Sequence, residues 1–153
     1  MAEEARPDRL VVRRVMPATR QEVFAAWTNP ESIRDWMCPG DTLTAEAELD
    51  LRVGGAYRIV MRSESRAYEH TGEYRIVEPP SKLVFTWMSK GTEYRSTLVT
   101  VELLDRGDQC ELVLTHEHLP TPDAMKGHQG GWSQIAERLA AHLQKRAPAR
   151  PRG

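Results

Sequence analysis

Long apolar runs are missing from this sequence: no stretch approaches the roughly 20 consecutive apolar residues that a membrane helix needs, so no membrane insertion is expected. An excess of one charge is missing too. The formal net charge is −1, and Lys and Arg are interleaved with Asp and Glu, so there is no basic field to hold nucleic acid or an anionic membrane. Cysteine is scarce. Cys38 and Cys110 are the only two and form no CxxC, which suits a reducing cytoplasm while leaving one disulfide open. The opening "MAEEARPDRL" lacks the basic-then-apolar order of a secretory signal, so the expected location is cytoplasmic. No serine elbow, phosphate loop, HExxH or dinucleotide fingerprint appears, so no catalytic residue is assigned and no cofactor is expected.

What remains is a 153-residue chain, 40% apolar and 28% charged, which is enough for one soluble domain with a core that needs no disulfide. With no internal repeat and no long linker, a single domain is expected over residues 8–145. Residues 1–7 and 146–153, the latter reading "RAPARPRG", are expected to be flexible termini.

The clearest pattern is "LTAEAELDLRVGGAYRIVMR", residues 43–62. Leu43, Ala45, Ala47, Leu49, Leu51, Val53, Tyr57, Ile59 and Met61 take odd positions, and charged residues take most even ones. A two-residue period covers one face and wets the other. Gly54-Gly55 breaks it into two strands with a tight connection. Further strands are expected at 10–16, 69–78, 82–89, 94–104 and 109–118, with turns at "EPPS", "KGTE" and "DRGD".

Helices punctuate the ends of this meander. Thr19 and Glu22 form a capping box ahead of Val23, Phe24 and Trp27; Asn29-Pro30 stops that helix and opens another carrying Ile33, Trp36 and Met37. Thr121-Pro122-Asp123 starts a long helix whose stripe is Met125, His128, Trp132, Ile135, Leu139 and Leu143. The implied class is α+β, with a curved antiparallel sheet of six to seven strands wrapped around the long C-terminal helix.

Such a sheet and helix leave a wedge between them, which is either filled or kept open. Ala45 and Ala47 on the sheet and Gly130-Gly131 on the helix are small, while Tyr57, Met61, Tyr74, Phe85 and Trp87 are large. Two glycines in a helix interior cost about 1 kcal/mol each against alanine, so they bend the helix, admit a neighbour, or leave room beside Trp132. The pattern leaves both a solid core and an apolar pocket with its mouth near the short helices open.

The segments "EVFAAWTNPESIRDWM", "LDLRVGGAYRIVMR", "GEYRIVEPPSKLVFTW" and "GHQGGWSQIAERLAAHL" resemble, in order and across residues 10–143, the SRPBCC (START-like, helix-grip) superfamily. Within it they look most like the domain named after the activator of the heat-shock-protein-90 ATPase. The resemblance implies a hydrophobic cavity between sheet and long helix. Its members include carriers of hydrophobic ligands, aromatic polyketide cyclases and resistance proteins, so the fold alone does not choose a function. The extra chaperone-binding domain of the eukaryotic co-chaperone has no counterpart in these residues, which argues against a chaperone partner. Trp36-Met37 stands where the family usually has a double tryptophan, a change expected at the pocket mouth.

The expected lining is Trp27, Trp36 and Met37 from the short helices; Leu49, Tyr57, Ile59, Met61, Tyr74, Phe85, Trp87, Val99, Leu114 and His116 from the sheet; and His128, Trp132 and Ile135 from the long helix. His116 and His118 share a strand face with His128 opposite, but the pair sits just before Pro120, where register fails, and no metal site is expected. His116 and His128 suit polar groups in a greasy pocket, as do the hydroxyls of Tyr57 and Tyr74. Glu69 and Glu73 should face water, with Glu73 paired to an arginine across the sheet. The leading expectation is a module binding a lipid-like or polycyclic aromatic molecule. The others are a cyclase-like enzyme using pocket His and Tyr, and a chaperone-activator-like interaction module. Any assembly is expected to be a homodimer, on the frequency of dimers alone.

Overall fold

The structure, a computed structural model, describes residues 9–146. The expected flexible segments lie outside these residues, save that the last helix extends through Arg146. Strand β1 (Leu10–Met16) leads into α1 (Arg20–Thr28) and α2 (Pro30–Trp36). Strands β2 (Thr44–Leu49), β3 (Ala56–Arg62), β4 (Ala67–Glu78), β5 (Lys82–Trp87), β6 (Thr97–Arg106) and β7 (Gln109–Glu117) follow, and α3 (Pro122–Arg146) closes the order. The seven strands pair antiparallel in the order β1-β7-β6-β5-β4-β3-β2, so each hairpin neighbours the next and β1 returns beside β7.

The caps form where the side chains demand them. Thr19 Oγ1 accepts from the Glu22 amide at 3.2 Å while Glu22 Oε1 accepts from the Thr19 amide at 2.9 Å, satisfying two N–H groups that the first turn of α1 leaves unpaired. Asn29 Oδ1 accepts from the Glu31 amide, with Pro30 opening α2. Thr121 Oγ1 accepts from the Ala124 amide at 3.0 Å and starts α3.

The alternating stretch departs from expectation at its centre and its start. Residues 50–55 form a longer connection than a tight hairpin turn, because Arg52 and Gly55 close a local turn of their own. Leu51 and Val53 therefore leave the sheet and are exposed, and Leu43 precedes it and is exposed too. Gly54 has φ +85°, and a Cβ on Gly55 would lie 2.0 Å from the Asp50 carbonyl oxygen, so neither position admits a side chain.

A register shift in β4 between Tyr74 and Ile76 moves the inward parity, so Val77 packs on the core rather than Ile76, which an unbroken two-residue period from Tyr74 would turn inward. Strand β6 starts at Thr97, not residue 94, because Lys90–Thr92 coil into a 3-10 turn and Glu93 and Tyr94 adopt left-handed backbone. Glu73 pairs with Arg75 on its own strand at 3.1 Å, whereas Glu69 meets Arg58 of β3 across the sheet. Parity explains both: residues two apart share a face, and the expected cross-sheet arginine serves Glu69. Cys38 and Cys110 are buried and free.

Candidate functional site

Helix α3 approaches the backbone chiefly at β1, α2 and the 3-10 turn, so β3 and β4, toward the far edge of the sheet, have no helix seated directly on them. The space between α3 and those strands divides in two. At the end beside α1 and α2 it is filled: Trp27 meets Trp36 edge-on at 4.8 Å, and Tyr57 meets Phe85 edge-on at 5.6 Å. Only about 10 Å³ remains among Trp27, Met37, Leu49, Tyr57, Ile59, Tyr74 and Phe85. Ile33 and Met37 are buried at that end, and Met37, at the position of the family's second tryptophan, joins the core.

At the other end a cavity of about 330 Å³ stays open beneath the first half of α3. Met61, Trp87, Trp132 and Ile135 form its apolar wall, and His70, Gly91, Gly127, His128 and Gly131 its remaining surface. It continues into an outer trough of about 690 Å³ bounded by residues 39–42, Tyr68, Lys90, Tyr94, Lys126 and Gly130. The glycines explain the width. A Cβ on Gly127 or Gly130 would meet nothing within 4 Å, and one on Gly131 would meet only the Pro39 Cβ, at 3.9 Å. Of the three roles open to Gly130-Gly131, leaving room is the one the geometry fits, and Gly127 adds to it.

Of the residues expected to line the pocket, the open cavity gathers Met61, Trp87, His128, Trp132 and Ile135. Trp27, Met37, Leu49, Tyr57, Ile59, Tyr74 and Phe85 surround the nearly filled space instead, and Trp36, Val99, Leu114 and His116 are packed in the core. His70, Gly91, Gly127 and Pro39 were not anticipated. His70 had a legible signal, since it shares the even parity of Tyr74 on β4; Gly91 and Pro39 sit in turns where periodicity carries no information.

The histidines differ sharply in what their nitrogens do. His116 is wholly buried. The Trp132 indole N–H donates to His116 Nδ1 at 3.0 Å, and His116 Nε2 donates to Thr97 Oγ1 at 2.7 Å. The Thr97 hydroxyl in turn donates to the Trp87 carbonyl at 2.6 Å. Because that carbonyl only accepts, the chain of bonds has one direction and fixes the Nε2–H tautomer. Desolvation, with His128 and His118 nearby, pushes His116 down to about 2, so it stays neutral and neither nitrogen is left for a ligand.

His70 packs against Trp87 with ring centroids 4.5 Å apart and planes tilted by 35°, and desolvation lowers its pKa to about 4. Its Nδ1 is buried without a hydrogen-bond partner among the described residues. His128 lies edge-on to His116 at 4.9 Å and contributes its ring to both cavity and trough, its pKa lowered chiefly by desolvation. His118 follows the end of β7, in left-handed backbone and exposed, so it does not join His116 on one face. Among the described residues no group of three or more His, Cys, Asp or Glu is placed to hold a metal. The Tyr57 hydroxyl donates to the Thr86 carbonyl at 2.6 Å, and burial raises its pKa well above the usual value.

A seven-stranded antiparallel sheet gripping a long C-terminal helix, with an apolar hollow between them, defines a helix-grip protein of the SRPBCC type. The family model of the Activator of Hsp90 ATPase homolog 1-like proteins matches residues 17–144, and the chain belongs to that family. A crystal structure of a protein from Rhodobacter sphaeroides is similar over 92% of this chain and 95% of its own, at 26% identity and TM-score 0.79. The solution structure of the AHSA1-like protein from Aeromonas hydrophila shares the fold at 20% identity and TM-score 0.77, covering 95% and 98% of the two chains. CalU16 from Micromonospora echinospora is 25% identical, with TM-score 0.66 over 89% of this chain and 74% of that one. No curated protein sequence matches. No helix among the described residues is long and apolar enough to cross a membrane.

Proposed function

We propose that the protein binds a hydrophobic small molecule, lipid-like or polycyclic aromatic, in the cavity beneath the first half of α3. The observation that carries this reading is the cost of keeping the cavity open. Three glycines within a little more than one helical turn each forgo about 1 kcal/mol of helix propensity, and two of them border the cavity itself. Sequences gain from filling such a space with alanine or leucine, so retaining the space points to an occupant. The wall is right for a flat or greasy one: two indole faces, a flexible Met61 and Ile135, with few polar groups. The trough supplies a route in from solvent without unfolding α3.

Titration with naphthalene, followed by tryptophan fluorescence, tests the reading because Trp87 and Trp132 form the wall. Saturable binding at micromolar concentration is expected, and Gly127→Leu, which puts a side chain where there is open space, should abolish it in a folded protein. No saturation, or saturation unchanged in Gly127→Leu, would remove the cavity as the binding site. Native mass spectrometry of protein purified from its host would then give the mass of the natural occupant.

A further inference from the structure

We infer that this cavity prefers ligands carrying a hydrogen-bond donor, such as a phenolic or alcoholic hydroxyl, and that the donor is received by Nε2 of His128. This rests on the cavity being a hydrophobic-ligand site and specifies which hydrophobic molecules it favours. His128 Nδ1 is already committed: it lies 2.8 Å from the Ala124 carbonyl oxygen one helical turn earlier. A carbonyl only accepts, so Nδ1 carries the proton, and a neutral imidazole then offers a lone pair at Nε2. Nε2 has no hydrogen-bond partner among the described residues and is not among the buried side-chain atoms left unpaired, so it is reachable from the cavity.

The surroundings keep that ring neutral. Burial disfavours the imidazolium and outweighs the Ala124 carbonyl, which favours it, and His116 from β7 and His70 from β4 are themselves held neutral; the trough carries both signs of charge, Lys90 and Lys126 with Asp41 and Glu69. Asp123, at the first turn of α3, is the acidic group on the cavity wall. Gly91 keeps the acceptor uncovered. A Cβ there would sit 3.2 Å from His128 Cε1 and 3.6 Å from Nε2. One acceptor set in a wall of indole, thioether and aliphatic surface matches a ring system or chain bearing one hydroxyl.

The test compares 2-naphthol with naphthalene on the wild-type chain, His128→Phe and Gly91→Ala. Wild type should bind 2-naphthol on the order of tenfold more tightly, as one added hydrogen bond allows. The ratio of the two affinities, whatever each variant does to naphthalene binding itself, should fall toward unity in His128→Phe and shrink severalfold in Gly91→Ala, which keeps the histidine and crowds its acceptor. In wild type, the ¹⁵N resonance of His128 Nε2 should move with 2-naphthol and stay still with naphthalene. Equal affinities in wild type, or a preference untouched by both variants, would overturn the inference and leave the cavity reading standing. Binding of neither probe would overturn both.

Discussion

Replacing the three helix glycines by alanine, one at a time and together, should raise stability while narrowing the site. Nothing lies within 4 Å of a Cβ at Gly127 or Gly130, and at Gly131 the single neighbour, the Pro39 Cβ, is at ordinary contact distance. None of the three has the left-handed backbone that only glycine tolerates well. Alanine therefore gains its helix propensity, about 1 kcal/mol per site, without a steric penalty. In a domain of this size each kcal/mol raises Tm by about 2–4 °C, so the triple variant should melt about 6–12 °C higher. Calorimetry and urea unfolding measure this directly. Binding should move the other way: Gly127→Ala and Gly131→Ala weaken naphthalene binding, and Gly130→Ala, which borders only the trough, weakens it least. Neutral or lower stability in all three single variants would show that packing holds these glycines, and the argument from an open cavity would fail.

Other consequences follow from the buried polar groups. Thr97→Val should cost about 1–3 kcal/mol in urea unfolding, because it strands the buried His116 Nε2–H and removes the hydroxyl donor to the Trp87 carbonyl. Stability should also fall in acid. His116 and His70 stay neutral in the folded protein down to about 2 and about 4, while in the unfolded chain both take a proton below about pH 6.5. The unfolded state then binds more protons, so stability is flat with respect to these groups above pH 7. It drops by about 1.4 kcal/mol per pH unit for each histidine as pH falls from 6.5 toward 4. His70→Phe should reduce that slope by about 1.4 kcal/mol per pH unit, and an unchanged slope would contradict the assignment.

The sheet and helices were legible because local chemistry and tertiary need agree there. Thr19 with Glu22, Asn29 with Pro30 and Thr121 with Pro122 announce their caps, and the odd-position run through Ala45, Tyr57, Ile59 and Met61 names the covered face of β2 and β3. Periodicity assumes an unbroken strand, however. The register shift after Tyr74 turned Val77 inward, and the wide connection at 50–55 released Leu51 and Val53 to solvent. The inward placement of His116 followed from parity with Leu112 and Leu114. Its confinement by Thr97 and Trp132 did not, since that needs Val99 opposite His116 across β6 and β7 and the facing position of α3. The position of the opening was the least legible feature. It depends on where a rigid helix parts from a curved sheet: Trp87 and Trp132 reached the opening, whereas Trp27, Tyr57, Tyr74 and Phe85, also expected around it, settled at the packed end beside α1 and α2.

The most direct measurement is a map of NMR shifts on ¹³C-methyl and indole ¹⁵N-labelled protein as naphthalene is added. Changes centred on the Met61 methyl, the Ile135 methyls and the Trp87 and Trp132 indoles, with Ile33 and Trp36 unmoved, are expected. Changes centred on Ile33, Trp27 and Trp36, or spread over the exposed Leu51, Val53 and Leu43 with the Trp87 and Trp132 indoles unmoved, would contradict it.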